Sequence, residues 1–390
     1  MKESEKLPKQ IKKSIEKGKL LDKEWNENNL SSLINDCINI ENNIKEINKM
    51  NDDIQKYDSN KDIKINYIVE DKKINNMINK IQNFGKVVNN TYNDYKIENR
   101  NPIIKLANHT SNIFCLCLLN DGRLVSGSSD DSIIIYNKTT YLPDLIIKEH
   151  TDSIYCIHQL SSGSLISCSG DKTIKLFNIQ GMKYEILQTF KDHNNTVYKI
   201  VELKNKSLVS CSEDSSIIFY LKDNDKYQKD YQIKTEGPCY SIIQTKDNEI
   251  CYSEYDKICF YDLIERKIKS SLSNINKYNG YRECFLMINK DLLLIPGNNQ
   301  ISLINLNEYT LIRKIDVPGS SWIIGACMLN KNMLLTGDCS KTIKQWKIED
   351  DNLILISKRE IAHDSDINVL LNMRNGFIAS GSADCTIKIW

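Results

Sequence analysis

Three stretches decide how this chain folds: GRLVSGSSDDSIIIYN (122–137), SLISCSGDKTIKLFN (164–178) and FIASGSADCTIKIW (377–390). Each is a short apolar run, a turn bearing aspartate, and a second apolar run that closes on an aromatic ring. Upstream of each, at a constant distance, stands a histidine. The sets His109, Asp130, Tyr136; His150, Asp171, Phe177; His193, Asp214, Tyr220; and His363, Asp384, Trp390 all keep twenty-one residues from His to Asp and twenty-seven from His to the aromatic. Three weaker copies lie between the third set and the last, ending at Tyr261, Ile304 and Trp346, so seven unit ends are spaced by forty-one to forty-four residues.

That spacing is the period of a four-stranded propeller blade, about 40–45 residues. Unit one supplies the strands as β-branched and aromatic runs parted by turn residues: Ile113–Leu119, a turn at Asn120-Asp121-Gly122, Arg123–Ser128, a turn around Ser129-Asp130-Asp131, and Ile133–Tyr136. A further run after the aromatic, such as Tyr184–Phe190 or Leu311–Ile315, supplies a fourth strand. The pattern predicts an all-β seven-bladed propeller over 101–390, preceded by an α-helical coiled-coil region. The last unit ends on its third strand at Trp390, and Ile103–Leu106 is a spare strand expected to complete that blade and close the ring.

The quoted segments resemble WD repeats, over about residues 102–390. The resemblance implies a hydrogen-bonded set in each blade: His in the loop between strands d and a, Ser on strand b, Asp in the b–c turn and an aromatic on strand c. The implied sets are His109, Ser126, Asp130, Tyr136; His150, Ser167, Asp171, Phe177; His193, Ser210, Asp214, Tyr220; and His363, Ser380, Asp384, Trp390. The chemistry is sound on its own terms, because a buried carboxylate needs donors. Trp and Tyr can donate to the serine hydroxyl; Phe177 cannot. Units four to six lack the His, unit six has Ser340 at the Asp position, and Pro296 sits near the end of a b-strand in unit five. Those blades are expected to depend on packing.

Residues 1–100 have another texture. Residues 1–24 are Lys-rich and helical or partly disordered by composition. In 25–100, Leu30, Leu33, Cys37, Ile40, Ile44, Ile47, Asn51 and Ile54 follow an a/d heptad, with Asn51 at an a position that can set register. This predicts a homo-oligomeric coil through residues 25–56; a single amphipathic helix is the alternative. With a second helix over Lys72–Asn83, the stretch resembles the region after the B-box in tripartite-motif-like proteins. No RING or B-box zinc ligands precede it, so no ligase chemistry is carried over.

Charge and composition narrow the function. The 390 residues carry 52 Lys and Arg against 51 Asp and Glu, a net charge of +1. That balance speaks against nucleic acid as the main partner. No apolar run reaches the ~20 residues of a membrane span and no secretory signal is visible, so a cytoplasmic setting is expected, with a nuclear one open. Thirteen cysteines without a C-x-x-C fit reduced thiols better than a disulfide framework or a metal site. Cys168 and Cys211 share a small strand-b position with Gly127, Gly337 and Gly381, while Cys115, Cys117, Cys156, Cys239, Cys284 and Cys327 are placed on first strands, and His158 is read as a core or interblade histidine.

No hydrolase or nucleotide-binding motif occurs. The His–Asp–Ser sets look like triads, but a blade-period repetition suits architecture, not catalysis. No catalytic residue, cofactor or metal is expected. The leading expectation is a non-catalytic scaffold or adaptor binding protein or peptide partners, with candidate contacts Ser111, Ser129, Asp152, Asn195, Glu213, Tyr255 and Asp364. The alternative is a substrate receptor of a ubiquitin ligase, recruiting its catalytic partner through residues 1–100.

Overall fold

The computed structural model describes residues 96–390 apart from 225, 255, 256, 276–283, 318, 320, 374 and 375. The coil seam from Leu30 to Ile54, the segment 1–24 and the candidate contact Tyr255 lie outside the described residues. The described residues fall within one compact unit.

Among the described residues, twenty-eight strands form seven four-stranded antiparallel sheets. Six are built in sequence order, a to d, from residues 113–147, 154–190, 197–234, 242–273, 286–316 and 323–359. The seventh takes strands a to c from 367–389, and its fourth strand is Ile104–Leu106, paired antiparallel with Ile387–Ile389 in the register Ile104↔Ile389, Lys105↔Lys388, Leu106↔Ile387. The ring is therefore closed by strand pairing between the two ends of the propeller, leaving no open seam between first and last blades.

The apolar core is divided into seven packets, each between neighbouring blades. One holds Cys115, Val125 and Ile135 of blade one against Ile154, Leu165 and Phe177 of blade two. The packet that closes the circle holds Ile387 and Ile389 against Ile113, Leu124 and Tyr136. Strand b must be small where the next blade's first strand crosses it: a Cβ on Gly127 would lie 2.7 Å from Ile154 Cγ2, and one on Gly381 2.7 Å from Ile113 Cγ2. Cys168 and Cys211 fill the same position elsewhere and are fully buried.

Blade closure begins ahead of the spare strand. A 3₁₀ turn at Ile97–Asn99 inserts Ile97, fully buried, into the packet between blades six and seven with Ile343 and Trp390. Two cysteines differ from their expected placement. Cys239 precedes the first strand of blade four, Ile242–Lys246, and Cys284 precedes that of blade five, Leu286–Met287. Both first strands are short; in blade five the strand pairs only with Leu293 and Leu294. His158 is exposed, not a core or interblade residue.

Candidate functional site: latched loops around a central channel

In four blades the d–a loop and the b–c turn are tied by the same side chains. His Nδ1 lies 2.9, 2.7, 2.9 and 2.8 Å from a carboxylate oxygen of Asp130, Asp171, Asp214 and Asp384. The other ring nitrogen lies 2.7–2.8 Å from the hydroxyl of Ser126, Ser167, Ser210 and Ser380. A carboxylate only accepts, so Nδ1 carries a proton and donates to it, while Nε2 faces the serine hydroxyl.

The network is larger than four residues. The hydroxyls of Ser132, Thr173, Ser216 and Thr386 donate to the second carboxylate oxygen at 2.5–2.7 Å. The backbone N–H after each His donates to the first, from Thr110, Thr151, Asn194 and Asp364. Burial opposes ionisation of all four aspartates, yet these donors outweigh it and hold the carboxyls well below the usual carboxylate range. Ser128, Ser169, Ser212 and Ser382, absent from the sequence-derived sets, accept the Asp N–H and donate to the carbonyls of Ser111, Asp152, Asn195 and Ser365.

The aromatic position behaves less uniformly than expected. Trp390 Nε1 donates to Ser380 Oγ at 2.8 Å. The Tyr136 and Tyr220 hydroxyls, expected to do the same, are buried without a hydrogen-bond partner. Burial pushes the Tyr136 phenol up to about 12. Those rings serve as packing, as Phe177 does.

The blades without His are not held by packing alone. In blade six the buried Asp338 accepts the N–H groups of Ser340 and Thr342 and pairs with Lys344 Nζ at 2.5 Å, while Trp346 Nε1 donates to Thr336 Oγ1 at 2.9 Å. Between blades four and five, buried Glu249 accepts from Thr245 and from the Tyr309 hydroxyl, with Lys246 and Lys269 beside it.

A second set of clasps joins blade to blade at the opposite loops. Gln159 accepts from Asn120 N at 2.7 Å, Glu202 from Ser161 N and Oγ at 2.7 and 2.6 Å, Gln244 from Lys204 N at 2.8 Å, and Asn372 donates to the Met328 and Leu329 carbonyls at 3.0 Å. The signal was present: Gln159, Glu202 and Asn372 each stand nine residues after a latch histidine.

The described candidate contacts lie in d–a loops and b–c turns of blades one, two, three and seven. Asp152 and Asp364 are exposed; Ser111, Ser129, Asn195 and Glu213 are half-buried. Ser129 Oγ lies 2.7 Å from Ser153 Oγ, bridging blades one and two. Gly170 leaves room for Asp152, since a Cβ there would lie 2.7 Å from its carboxylate.

The inner strands of successive blades adjoin and line a central channel. In five of them a β-bulge at the start of the strand leaves one residue unpaired, and those residues, Phe114, Tyr155, Tyr198, Ile324 and Asn368, all line it. Phe114 stacks on Tyr155 with centroids 5.3 Å apart, and Tyr155, Tyr198 and Tyr240 follow edge to face or tilted at 5.0 Å. Among the described residues no His, Cys, Asp and Glu side chains are grouped to hold a metal ion, and no helix is long and apolar enough to cross a membrane.

A family model for the WD domain, G-beta repeat, matches residues 100–137, 143–178 and 357–390. The chain carries WD40 repeats. Each matched segment runs from an outer strand through strands a to c of the next blade, so a WD40 repeat here straddles two blades and covalently links them. A search of curated proteins returned no match. WD40 propellers are in general interaction domains, and the latch residues here are spent on one another.

Proposed function

We propose that the protein is a non-catalytic scaffold that holds peptide segments of partner proteins on the face built from the d–a and b–c loops. The observation that supports this most directly is the clamping of those loops in blades one, two, three and seven by buried His–Asp pairs. Loops fixed before binding lose little freedom on it. The exposed carboxylates of Asp152 and Asp364 favour a basic or neutral peptide; burial first, and then repulsion from Asp152, Asp130 and Asp171, raises the Asp131 pKa.

Residues 25–56, read as a coil, would join two or more propellers and raise affinity through local concentration. The test is capture of partners by the full chain against the triple variant D152K, E213K and D364K, and against I40D/I47D. Loss of capture in the first and weaker capture with a smaller mass by light scattering in the second are expected. Capture unchanged by charge reversal removes the proposed face. Recovery of a ubiquitin-ligase subunit that depends on residues 1–100 replaces the scaffold with a substrate receptor.

A further inference from the structure

We propose that Cys156 and Cys168 are an oxidisable thiol pair in the channel wall of blade two, converted by a hydroperoxide into a disulfide between strands a and b. The two are register partners, Cys156↔Cys168. Directly opposed residues of an antiparallel pair have Cα atoms about 4.5–5.5 Å apart, within the range a disulfide spans. The corresponding pairs in other blades are Cys115↔Gly127, Lys199↔Cys211, Gly325↔Gly337 and Val369↔Gly381. Of these five, blade two alone sets thiol against thiol.

The surroundings give the two sulfurs different roles. Cys156 lines the channel together with Lys199 of the next blade, which offers a small oxidant a route inward. The facing Cys168 thiol lowers the Cys156 pKa against the opposing effect of burial, and the Lys199 ammonium lowers it further; Cys156 Sγ lies 3.8 Å from the Ile200 carbonyl oxygen. Burial raises Cys168, which keeps its proton. Cys115 also lines the channel, but burial and the neighbouring Cys156 raise it well above the usual thiol value, so it serves as an internal control. Thiolate character and access together select the cysteine that oxidises first.

The chemistry balances with hydrogen peroxide as the oxidant. The Cys156 thiolate attacks one peroxide oxygen and the O–O bond breaks. The leaving hydroxide takes up the proton that Cys156 released and departs as water, leaving Cys156 as a sulfenic acid. The Cys168 sulfur then attacks the Cys156 sulfur and the S–O bond breaks; the hydroxyl leaves with the Cys168 proton as a second water. Two thiols lose two electrons and the peroxide gains them.

The test treats the reduced full chain with hydrogen peroxide, quenches with a maleimide and maps peptides after denaturation. The expected product is a Cys156–Cys168 linked pair lighter by two hydrogens, with Cys115 still alkylated. C168S should stop at a sulfenic acid on Cys156 that dimedone traps, and C156S should leave Cys168 reduced. K199M should slow oxidation of Cys156 relative to wild type, most visibly as the pH is lowered, with circular dichroism unchanged. Oxidation of Cys156 no faster than Cys115, or a bridge mapping to other cysteines, overturns the proposal, and the wild-type experiment decides this without any variant.

Discussion

Lys344 Nζ lies 2.5 Å from a carboxylate oxygen of Asp338, with the two side chains only 5% and 2% exposed. This pair stands in blade six, where neither the histidine nor the expected aspartate is present, and the charged groups come from the ends of strands b and c. Removing one partner of a buried pair leaves the other charge uncompensated, which typically costs about 3–5 kcal/mol. Lys344→Met should therefore destabilise the propeller strongly, and Asp338→Leu combined with Lys344→Met should recover most of the loss. Urea midpoints of the single and double variants measure it; a double variant no better than the single would show that Asp338 is needed chiefly for the Ser340 and Thr342 N–H groups.

The aromatic position yields a contrast within one ring. Tyr136 buries a hydroxyl that finds no partner, whereas Trp390 donates to Ser380. Tyr136→Phe removes an unsatisfied polar group and should leave stability unchanged or slightly raised. Trp390→Phe removes a donor and packing volume, and should cost about 1–3 kcal/mol. Thermal midpoints that fall equally in both would contradict the assignment.

The latches also set the response to acid. Burial lowers the His363 pKa below its ordinary value of 6.5, against the opposing pull of Asp384. The unfolded chain therefore binds that proton first, and stability should begin to fall as pH drops below about 6.5. Asp130, Asp171, Asp214 and Asp384 are depressed below the usual 3.8 by their donors, with burial opposing. Their contribution is complete above about pH 5 and is lost as pH falls towards their native values. A urea midpoint followed from pH 8 to pH 3 should show a shallow decline and then a steep one, with His363→Gln flattening the first. A midpoint constant down to pH 4 followed by a single steep fall would remove the His363 contribution.

What was legible in the chain follows from which contacts are fixed by sequence distance. His109 and Asp130, or His363 and Asp384, meet because one blade's loop and turn always lie twenty-one residues apart, so the latches, the blade number and the closing strand could be read directly. Asp338 and Lys344 could not, because they replace the pattern with different residues and meet only when strands b and c pair. The clasps of Gln159 and Glu202 repeat in sequence, yet their partners are chiefly backbone groups of the preceding blade, which leave little trace in residue identity. The Tyr136 hydroxyl finds no partner where the Trp390 N–H does, because residue type at a shared position does not fix the direction in which a donor points.

The final prediction concerns ring closure, which rests on more than the strand Ile104–Leu106. Ile97 N donates to Gln345 Oε1 at 3.1 Å, Glu98 N to Ser357 Oγ at 3.1 Å, and Arg359 donates to the Glu98 carbonyl and to Asn101 Oδ1 at 3.1 and 3.0 Å. Residues 97–106 thus fasten first to blade six and then to blade seven. Ile97 is the apolar plug of this fastening, fully buried beside Trp390 and Ile343. Ile97→Ala should cost about 2–5 kcal/mol, as for a large aliphatic removed from a core. The loss should be local in its dynamics: amide exchange should rise most in Ile387–Ile389 and Ile104–Leu106, because those strands close the circle, while Leu165–Ser169 of blade two should retain its protection. Exchange that rises evenly around all seven blades would mean that Ile97 supports the ring as a whole and not its closure.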